Sequence, residues 1–405
     1  MKKYSDVLTI LIYLILFSIS LFIIKYFWIK DLFNSENFIN ADAEHYHTIM
    51  KHGYKGFTVG FFPLFPLIWR SLSTGIHGIV FINGIIFLIS FYFIIKGLNI
   101  QKLIHIVFYL SIPSFIFFFL PFTEATFFLC STLIISGLIK RKYILVYAGL
   151  FLAILTRPIF FVFIPALILT EIYGERSEKN YLRMLLYIAI AIMGIITVGY
   201  IQFLDTGEWF KFFSAQKLWG NELQIPKLPL SSWAGNLIVR LDGFAFLTGV
   251  MAGGFLIALI LRIYGLKDKK VPEEVVFSVS YMAGITLYDL LYRGGSLHCM
   301  NRYLWATPFI IVAANYWIKQ KFSFRNKQLL LIFGFLFIFW FLFGSYNHIM
   351  GILKYSLLSL YVLLIFTLKS DIQIIRRMSL FLFIVLNFIF QIFFSVRFLQ
   401  GGWVG

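Results

Sequence analysis

The chain has 405 residues, of which 60% are hydrophobic and only 13% are charged. Soluble domains carry about a quarter charged residues, so a single water-facing domain of this composition is excluded. The net charge of +17 would indicate a nucleic-acid partner in a soluble protein. Here the Lys and Arg residues collect in short segments between apolar runs, as cytoplasmic loops of membrane proteins do. We therefore predict an all-α polytopic membrane protein with the lipid bilayer as a partner and no nucleic acid.

Apolar runs that can cross a hydrocarbon core of about 30 Å recur along the whole sequence. The predicted spans are 7–29, 76–96, 103–120, 124–139, 184–204, 243–264, 275–292, 303–320, 329–347, 352–368 and 378–397. The sequence contains no internal repeat and no polar stretch long enough for a soluble domain. Residues 1–405 are therefore predicted to form a single transmembrane domain.

The positive-inside rule orients these predicted spans. It assigns the N-terminus and several clusters of Lys and Arg to the cytoplasmic side: 96–102, 140–142, 267–270, 319–327 and 376–377. The longer segments 30–75, 205–242 and 293–302 then lie on the outer side, where we expect extracytoplasmic catalytic loops.

The apolar segment 143–171 carries Arg157-Pro158 near its middle. Proline lacks the backbone donor that a helix needs, and the residue before it disfavours the α conformation. The orientation also requires an even number of crossings here. We therefore predict two short helices, about 143–156 and 158–172, with Arg157 near the outer side; one long tilted helix is the alternative. The total is then about 11–13 transmembrane helices.

The densest polar cluster follows the first apolar run, in NADAEHYHTIMKHGYKGFTVGFFPLFP (40–66). Asp42 and Glu44 form an acid-x-acid element beside His45 and Tyr46. Two close carboxylates can bind a divalent cation such as Mg²⁺ or Mn²⁺ through oxygen. One carboxylate can instead act as a general base when it reaches a hydroxyl proton. A solvated polar loop is the third interpretation, and these residues alone leave all three open.

Other ionisable residues fall in or beside the outer segments. Glu124 begins an apolar run in PFTEATFF (121–128), where an acid is costly and is often functional. Lys217 lies in the second outer segment, and a basic side chain there can contact phosphate. Trp219, two residues later, is either an interfacial anchor or part of a site.

The third outer segment lies within YDLLYRGGSLHCMNRYLWATPF (288–309). Asp289 and Arg293 are four residues apart, a spacing that allows an ion pair on one helix. Arg302 begins the next apolar run, where it either extends to the membrane interface or belongs to an active site.

The predicted topology places the ionisable candidates at one membrane face: Asp42, Glu124, Arg157, Lys217, Arg293 and Arg302. Such a concentration indicates a site for a charged substrate that a lipid carries. The sequence contains no Walker or GxGxxG element.

Together these segments resemble a known family. NADAEHYHTIMKHGY followed by GFFPLFPL resembles the first loop of the glycosylphosphatidylinositol mannosyltransferase II (PIG-V-like) family, a group of GT-C membrane glycosyltransferases. PFTEATFF is similar to its Glu-containing box, LTRP to its Arg helix break, TGEWFKFFSAQKLWG to its Gly…Gln…Trp loop, and MNRYLWATPF to its Arg-Tyr…Pro segment. The resemblance covers nearly the full length. Ala41 stands where the family usually has Trp, whereas the acid that follows, Asp42, is retained.

The resemblance implies a GT-C-type bundle and an inverting transferase that uses a polyprenyl- or dolichyl-phosphate sugar, with mannose as the expected sugar. Asp42 would be the general base toward a lipid or glycan acceptor. The candidates that would neutralise the phosphate that leaves are Arg157, Lys217, Arg293 and Arg302, and Glu124 and His45 are candidates to position the sugar hydroxyls. The substrate-binding candidates are Glu44, His45, Tyr46, Glu124, Arg157, Gln216, Lys217, Trp219, Arg293 and Arg302. Whether Asp42 and Glu44 bind a divalent cation stays open. The expected location is a bacterial cytoplasmic membrane with the site facing outward.

Two other classes of protein compete with this interpretation. A transporter or flippase of lipid-linked saccharides would show paired inverted repeats and helices broken at the membrane midplane. The polar candidates instead lie in outer loops, which favours an enzyme. A structural scaffold is the third class, and it has no need of an acid surrounded by arginines.

Overall fold

The structure is a computed structural model that describes most of the chain. The described residues are 5–174, 177–218, 220–228, 230–231, 238–265, 271–320, 334, 337–338, 342 and 349–404. Apart from one isolated bridge between Ser231 and Ser296, these residues contain no β-strand. The predicted span 329–347 lies mostly outside the described residues.

The described residues are arranged mainly as α-helices. In chain order these are α1 Ser5–Phe27, α2 Asp42–His52, α3 Leu64–Leu72, α4 Ile76–Gly97, α5 Leu103–Leu110, α6 Glu124–Lys140, α7 Tyr143–Thr156, α8 Phe160–Tyr173, α9 Glu178–Thr206, α10 Lys211–Leu218, α11 Ile238–Gly265, α12 Glu273–Tyr292, α13 Met300–Trp305, α14 Pro308–Lys319, α15 Ile349–Thr367 and α16 Gln373–Leu399. Short 3-10 helices cover Ser35–Phe38, Gly56–Gly60 and Pro113–Phe119.

Within the described ranges, six helices are long and apolar enough to cross a membrane: α1, α4, α9, α12, α16 and the Leu241–Leu261 part of α11. The 3-10 helix Pro113–Phe119 and α6 form a further candidate span that is bent by 106°. The chain is therefore an all-α polytopic membrane protein, as predicted. The total of about 11–13 crossings stays a prediction, because several apolar helices are shorter than a full span.

The predicted break at Arg157-Pro158 is confirmed. α7 ends at Thr156, α8 begins at Phe160, and Arg157 between them has an extended backbone (φ −153°, ψ 156°). A following proline favours this extended conformation, because the α conformation would bring the two residues into a clash. The alternative of one long tilted helix is wrong.

Two other predicted spans are not single helices. The span 103–120 divides into α5 and the 3-10 helix that begins at Pro113. The span 303–320 divides into α13 and α14, and α14 begins at Pro308. In both cases proline interrupts the hydrogen bonds of a continuing helix, as it does at Pro158.

Lysine side chains cap the C-terminal ends of two helices on the side predicted to be cytoplasmic. Lys319 Nζ donates to the carbonyl of Leu98 at the end of α4, over 3.0 Å. Lys369 Nζ donates to the carbonyls of Gln320 (2.7 Å) and Ile318 (3.2 Å) at the end of α14. The last carbonyls of a helix lack partners within the helix, so a cation there satisfies them and opposes the helix dipole.

α6 is a central element of the helical core. It packs against α4 and α7, and its residues from Glu124 to Phe128 are all buried. The ring of Phe128 packs edge-on against that of Phe87 in α4 at a centroid distance of 5.4 Å. Because α6 begins at Glu124, this packing holds the carboxylate of its first residue inside the protein.

Candidate functional site

Asp42 lies in the first turn of a helix. The predicted outer loop 30–75 is therefore not open, because it contains α2, α3 and two of the 3-10 helices. Ala41 turns the chain into α2 with φ 55° and ψ −129°, a conformation that is strained for any residue except glycine. An acid in the first turn of a helix interacts favourably with the helix dipole. The acid-rich composition that indicated a loop therefore marks a helix start.

Asp42, Glu124, Arg157 and Arg302 meet in one cluster, which we call the ionic centre. Arg302 Nη1 donates to Asp42 Oδ2 over 2.6 Å, and Arg302 Nε donates to Glu124 Oε1. Arg157 Nη2 donates to the same oxygen of Glu124. The four side chains come from α2, α6, the junction of α7 and α8, and α13. The fold thus brings together four predicted site residues that are distant in the sequence.

The ionic centre is shielded from solvent on most sides. The side chain of Glu124 is 0% exposed, that of Arg302 is 4% exposed, and that of Asp42 is 24% exposed. The guanidinium of Arg302 lies 4.7 Å from the ring centre of Phe122 and 5.4 Å from that of Phe117. Buried charges are tolerated when they are paired, and aromatic faces add to that stabilisation. Asp42 is the member of the centre that an incoming molecule can reach most easily.

Arg157 is held by several partners. Its Nε and Nη2 donate to Thr123 Oγ1 over 3.1 and 3.0 Å, and its guanidinium lies 5.0 Å from the ring centre of Phe127. The extended backbone before Pro158 directs this side chain toward the start of α6. Thr123 was not among the predicted site residues, although its position directly before Glu124 could have indicated it.

Only one of the two carboxylate oxygens of Glu124 accepts hydrogen bonds in the described structure. Both arginines donate to Oε1, whereas Oε2 is buried and has no hydrogen-bond partner in the described part of the chain. An unsatisfied buried acceptor costs about 1–3 kcal/mol. A hydroxyl or amide donor on a bound ligand would satisfy it.

Tyr46 and His45 line the side of the centre that α2 forms. Tyr46 is buried, its hydroxyl donates to Thr123 Oγ1 over 3.5 Å, and its ring packs edge-on against Phe61. Burial and the nearby Asp42 carboxylate raise the pKa of Tyr46, so its hydroxyl stays protonated. The His45 ring stacks on Phe61 at a centroid distance of 4.7 Å. Of these two predicted residues, Tyr46 reaches the ionic centre through Thr123.

Glu44 is exposed on another side of α2. Residues two apart in a helix do not face each other, so helical spacing separates its carboxylate from that of Asp42. In the described ranges there is no group of three or more His, Cys, Asp or Glu side chains that could hold a metal ion. A divalent cation at Asp42 and Glu44 stays a prediction.

The second outer segment packs against the first. Ala215 of α10 packs in one cluster with Ile49 and Tyr54. Gln216 Oε1 accepts a hydrogen bond from Asn221 over 2.8 Å, and Lys217 is exposed. Within the described structure, neither predicted side chain forms a hydrogen bond or ion pair with the ionic centre. Trp219 lies outside the described residues.

Arg293 lies one aromatic ring away from the ionic centre. It pairs with Asp289 as its spacing predicted, with 3.0 Å between Nε and Oδ1. Arg293 and Arg157 both lie 5.9 Å from the ring centre of Tyr303. Tyr303 therefore connects the two arginines, a role that nothing in its local sequence indicated.

His298 lies close to Arg293 and to the end of the chain. Its ring stacks on Trp403 at a centroid distance of 5.4 Å, and its carbonyl accepts a hydrogen bond from Arg293. Burial and the positive charge of Arg293 lower the pKa of His298 to about 4. The imidazole is therefore neutral at pH 7.

The fold and the site define a class: a multi-pass, all-α membrane protein with two acids and two arginines gathered at a partly buried centre. No protein-family model matches this chain, and neither a curated protein nor a solved structure matches it significantly.

Proposed function

We propose that this protein is a GT-C-type glycosyltransferase. It transfers a sugar, mannose according to the motif resemblance, from a polyprenyl- or dolichyl-phosphate donor to a lipid or glycan acceptor at the outer face of a bacterial cytoplasmic membrane. The observation that supports this most is the direct contact between Asp42 and Arg302 at the ionic centre. The resemblance implies Asp42 as the general base, and Arg302 is one of the basic candidates for binding the phosphate.

The reaction needs one proton acceptor and a set of cations. The Asp42 carboxylate accepts the proton of the acceptor hydroxyl as the hydroxyl oxygen bonds to the anomeric carbon. The bond between that carbon and the phosphate oxygen breaks, and its electron pair leaves with the polyprenyl phosphate. Attack from the opposite side inverts the configuration. Arg302 and Arg157 donate to the phosphate, because guanidinium groups bind phosphate with two parallel hydrogen bonds.

The charges of the ionic centre imply that the donor phosphate replaces a carboxylate when it binds. Two carboxylates neutralise two guanidiniums, so the centre has no surplus positive charge for a phosphate. Asp42 is the partner that can leave, because it is 24% exposed whereas Glu124 is fully buried. A phosphate that takes Arg302 Nη1 releases the Asp42 carboxylate, which is then free to accept a proton. Donor binding thereby prepares the base.

Two apolar cavities support a lipid-borne substrate. One of about 300 Å³ is lined by Pro113, Phe244 and Trp305, and Trp305 lies in the same short helix as Arg302. A second of about 250 Å³ is lined by Phe38 and Leu120 among other apolar residues. The 3-10 helix Pro113–Phe119 contributes to both cavities. Each has room for several isoprenoid or acyl carbons, and the four residues of the ionic centre lie outside both linings.

The experiment that tests this function is transfer of radiolabelled mannose from polyprenyl-phosphate-mannose in membranes that contain the protein. Asp42→Asn is expected to abolish transfer while the protein still inserts and folds. Asp31→Asn is the matched control, because Asp31 is an exposed carboxylate of the same outer segment. Full transfer by Asp42→Asn would contradict the assignment of the base. Movement of the lipid-linked sugar across the membrane without transfer would favour the transporter instead.

A further inference from the structure

Asn301, the residue directly before Arg302, is 1% exposed and forms hydrogen bonds to two other elements. Its backbone N–H and its side-chain Nδ2 both donate to Asp242 Oδ1, over 2.9 and 2.7 Å. Its side-chain Oδ1 accepts a hydrogen bond from Ser114 Oγ over 2.9 Å. Asp242 and Ser114 are themselves buried. One amide side chain thus joins α11, α13 and the 3-10 helix Pro113–Phe119.

Two of these elements surround Arg302. α13 carries Arg302, and the 3-10 helix carries Phe117, whose ring centre lies 5.4 Å from the guanidinium. The Asn301–Ser114 bond ties these two elements together. The Asp242 bonds tie the start of α13 to α11. The position of Arg302 relative to Glu124 and Asp42 therefore depends on the bonds of its neighbour.

α13 is too short to keep a fixed orientation without contacts to other elements. It spans only Met300–Trp305, and a helix of this length is unstable without tertiary contacts. Cys299, directly before it, adopts the left-handed conformation with φ 64°, which is uncommon for a non-glycine residue. A buried amide that hydrogen-bonds to two other elements can fix the direction of such a short helix.

We propose that Asn301, anchored by Asp242 and Ser114, is a positioning residue that holds Arg302 in place to bind the donor phosphate. This rests on the proposed function, in which Arg302 neutralises the phosphate. Charge-assisted hydrogen bonds weaken steeply when their angle departs from linear, so a small rotation of α13 lowers phosphate affinity without removing any charge.

The first test is binding of polyprenyl phosphate to the purified full-length protein in lipid nanodiscs. Ser114→Ala removes only the anchor from the 3-10 helix, and we expect the Kd to rise about fivefold. Asn301→Ala removes both side-chain bonds, and we expect a rise of about tenfold or more. Ser90→Ala is the matched control, because Ser90 is equally buried and donates to the carbonyl of Ile86 within its own helix, α4. Its Kd is expected to stay within about twofold of wild type.

The second test separates positioning from general stabilisation. Ser114→Ala is combined with Arg302→Lys, and the Kd and the thermal unfolding temperature are both measured. Positioning predicts coupling: once Arg302 is replaced, Ser114→Ala changes the Kd less than about twofold and lowers the unfolding temperature less than in wild type. Equal effects in both backgrounds would overturn the inference.

The unfolding measurement needs no ligand, so the two proposals can fail separately. If the wild-type protein does not bind polyprenyl phosphate but the unfolding effects of Ser114 and Arg302 are coupled, the proposed donor is wrong and the positioning role stands. If the wild type binds and the effects are additive, the donor stands and the positioning role is wrong.

Discussion

Asp42→Asn is expected to abolish sugar transfer and yet to tighten binding of polyprenyl phosphate. In the wild-type protein the Asp42 carboxylate occupies Arg302 Nη1 at 2.6 Å. The phosphate must displace it before it can use that donor. Asparagine keeps the shape of the side chain and removes its charge, so Arg302 retains a surplus positive charge for the ligand.

The size of the effect follows from the contact that is lost. A hydrogen bond to a charged group contributes about 1.5–3 kcal/mol when it is well shielded. Asp42 is 24% exposed, so solvent screening reduces this to about 1 kcal/mol. Because about 1.4 kcal/mol corresponds to a tenfold change in affinity, the Kd should fall about fivefold.

The assay is equilibrium binding of polyprenyl phosphate in nanodiscs at one fixed ionic strength. Asp31→Asn should leave the Kd unchanged, and Arg302→Lys should raise it, because lysine cannot donate two parallel hydrogen bonds. A side chain that simply contacts the donor would weaken binding when it is changed. An unchanged or higher Kd for Asp42→Asn would therefore refute the exchange between carboxylate and phosphate.

Three further expectations concern strain, topology and pH. Ala41→Gly should raise the unfolding free energy by about 1 kcal/mol, because glycine relieves the backbone strain at φ 55°. This gain exceeds the extra conformational entropy that glycine loses on folding. A lower thermal unfolding temperature would contradict this. A cysteine at Asn221 should react with a membrane-impermeant maleimide added from outside the cell, with low background because Cys130 and Cys299 are buried. Labelling only from the cytoplasmic side would show that the predicted orientation is inverted. Because the folded protein keeps His298 neutral down to about pH 4, whereas the unfolded chain protonates it near pH 6.5, stability should fall as pH falls through this window. His298→Gln should remove part of that slope in unfolding temperature against pH, and an unchanged slope would exclude His298 as its source.

The residues of the candidate site were predictable, whereas their contacts were not. Asp42, Glu124, Arg157 and Arg302 each stood out as an ionisable group beside an apolar run. Their shared membrane face was the only spatial relation that a topology argument could supply. Asp42 and Arg302 are 260 residues apart, and only the packing of α13 against the helices around it brings them within 2.6 Å. Lys217, by contrast, was predicted to lie at the same membrane face, but in the described structure it is exposed and does not join the centre.

The membrane character, the helical class and the break at Arg157-Pro158 were all predictable from the amino-acid sequence. These depend on composition and on the local chemistry of proline, which act over a few residues. Two predictions from local composition were wrong. The polar residues that indicated a loop instead begin α2. The long apolar runs predicted single spans where the helices break before Pro113 and Pro308. The contacts of Asn301 with Asp242 and Ser114 were not predictable, because they form only when helices that are distant in the chain pack together and bury these polar groups.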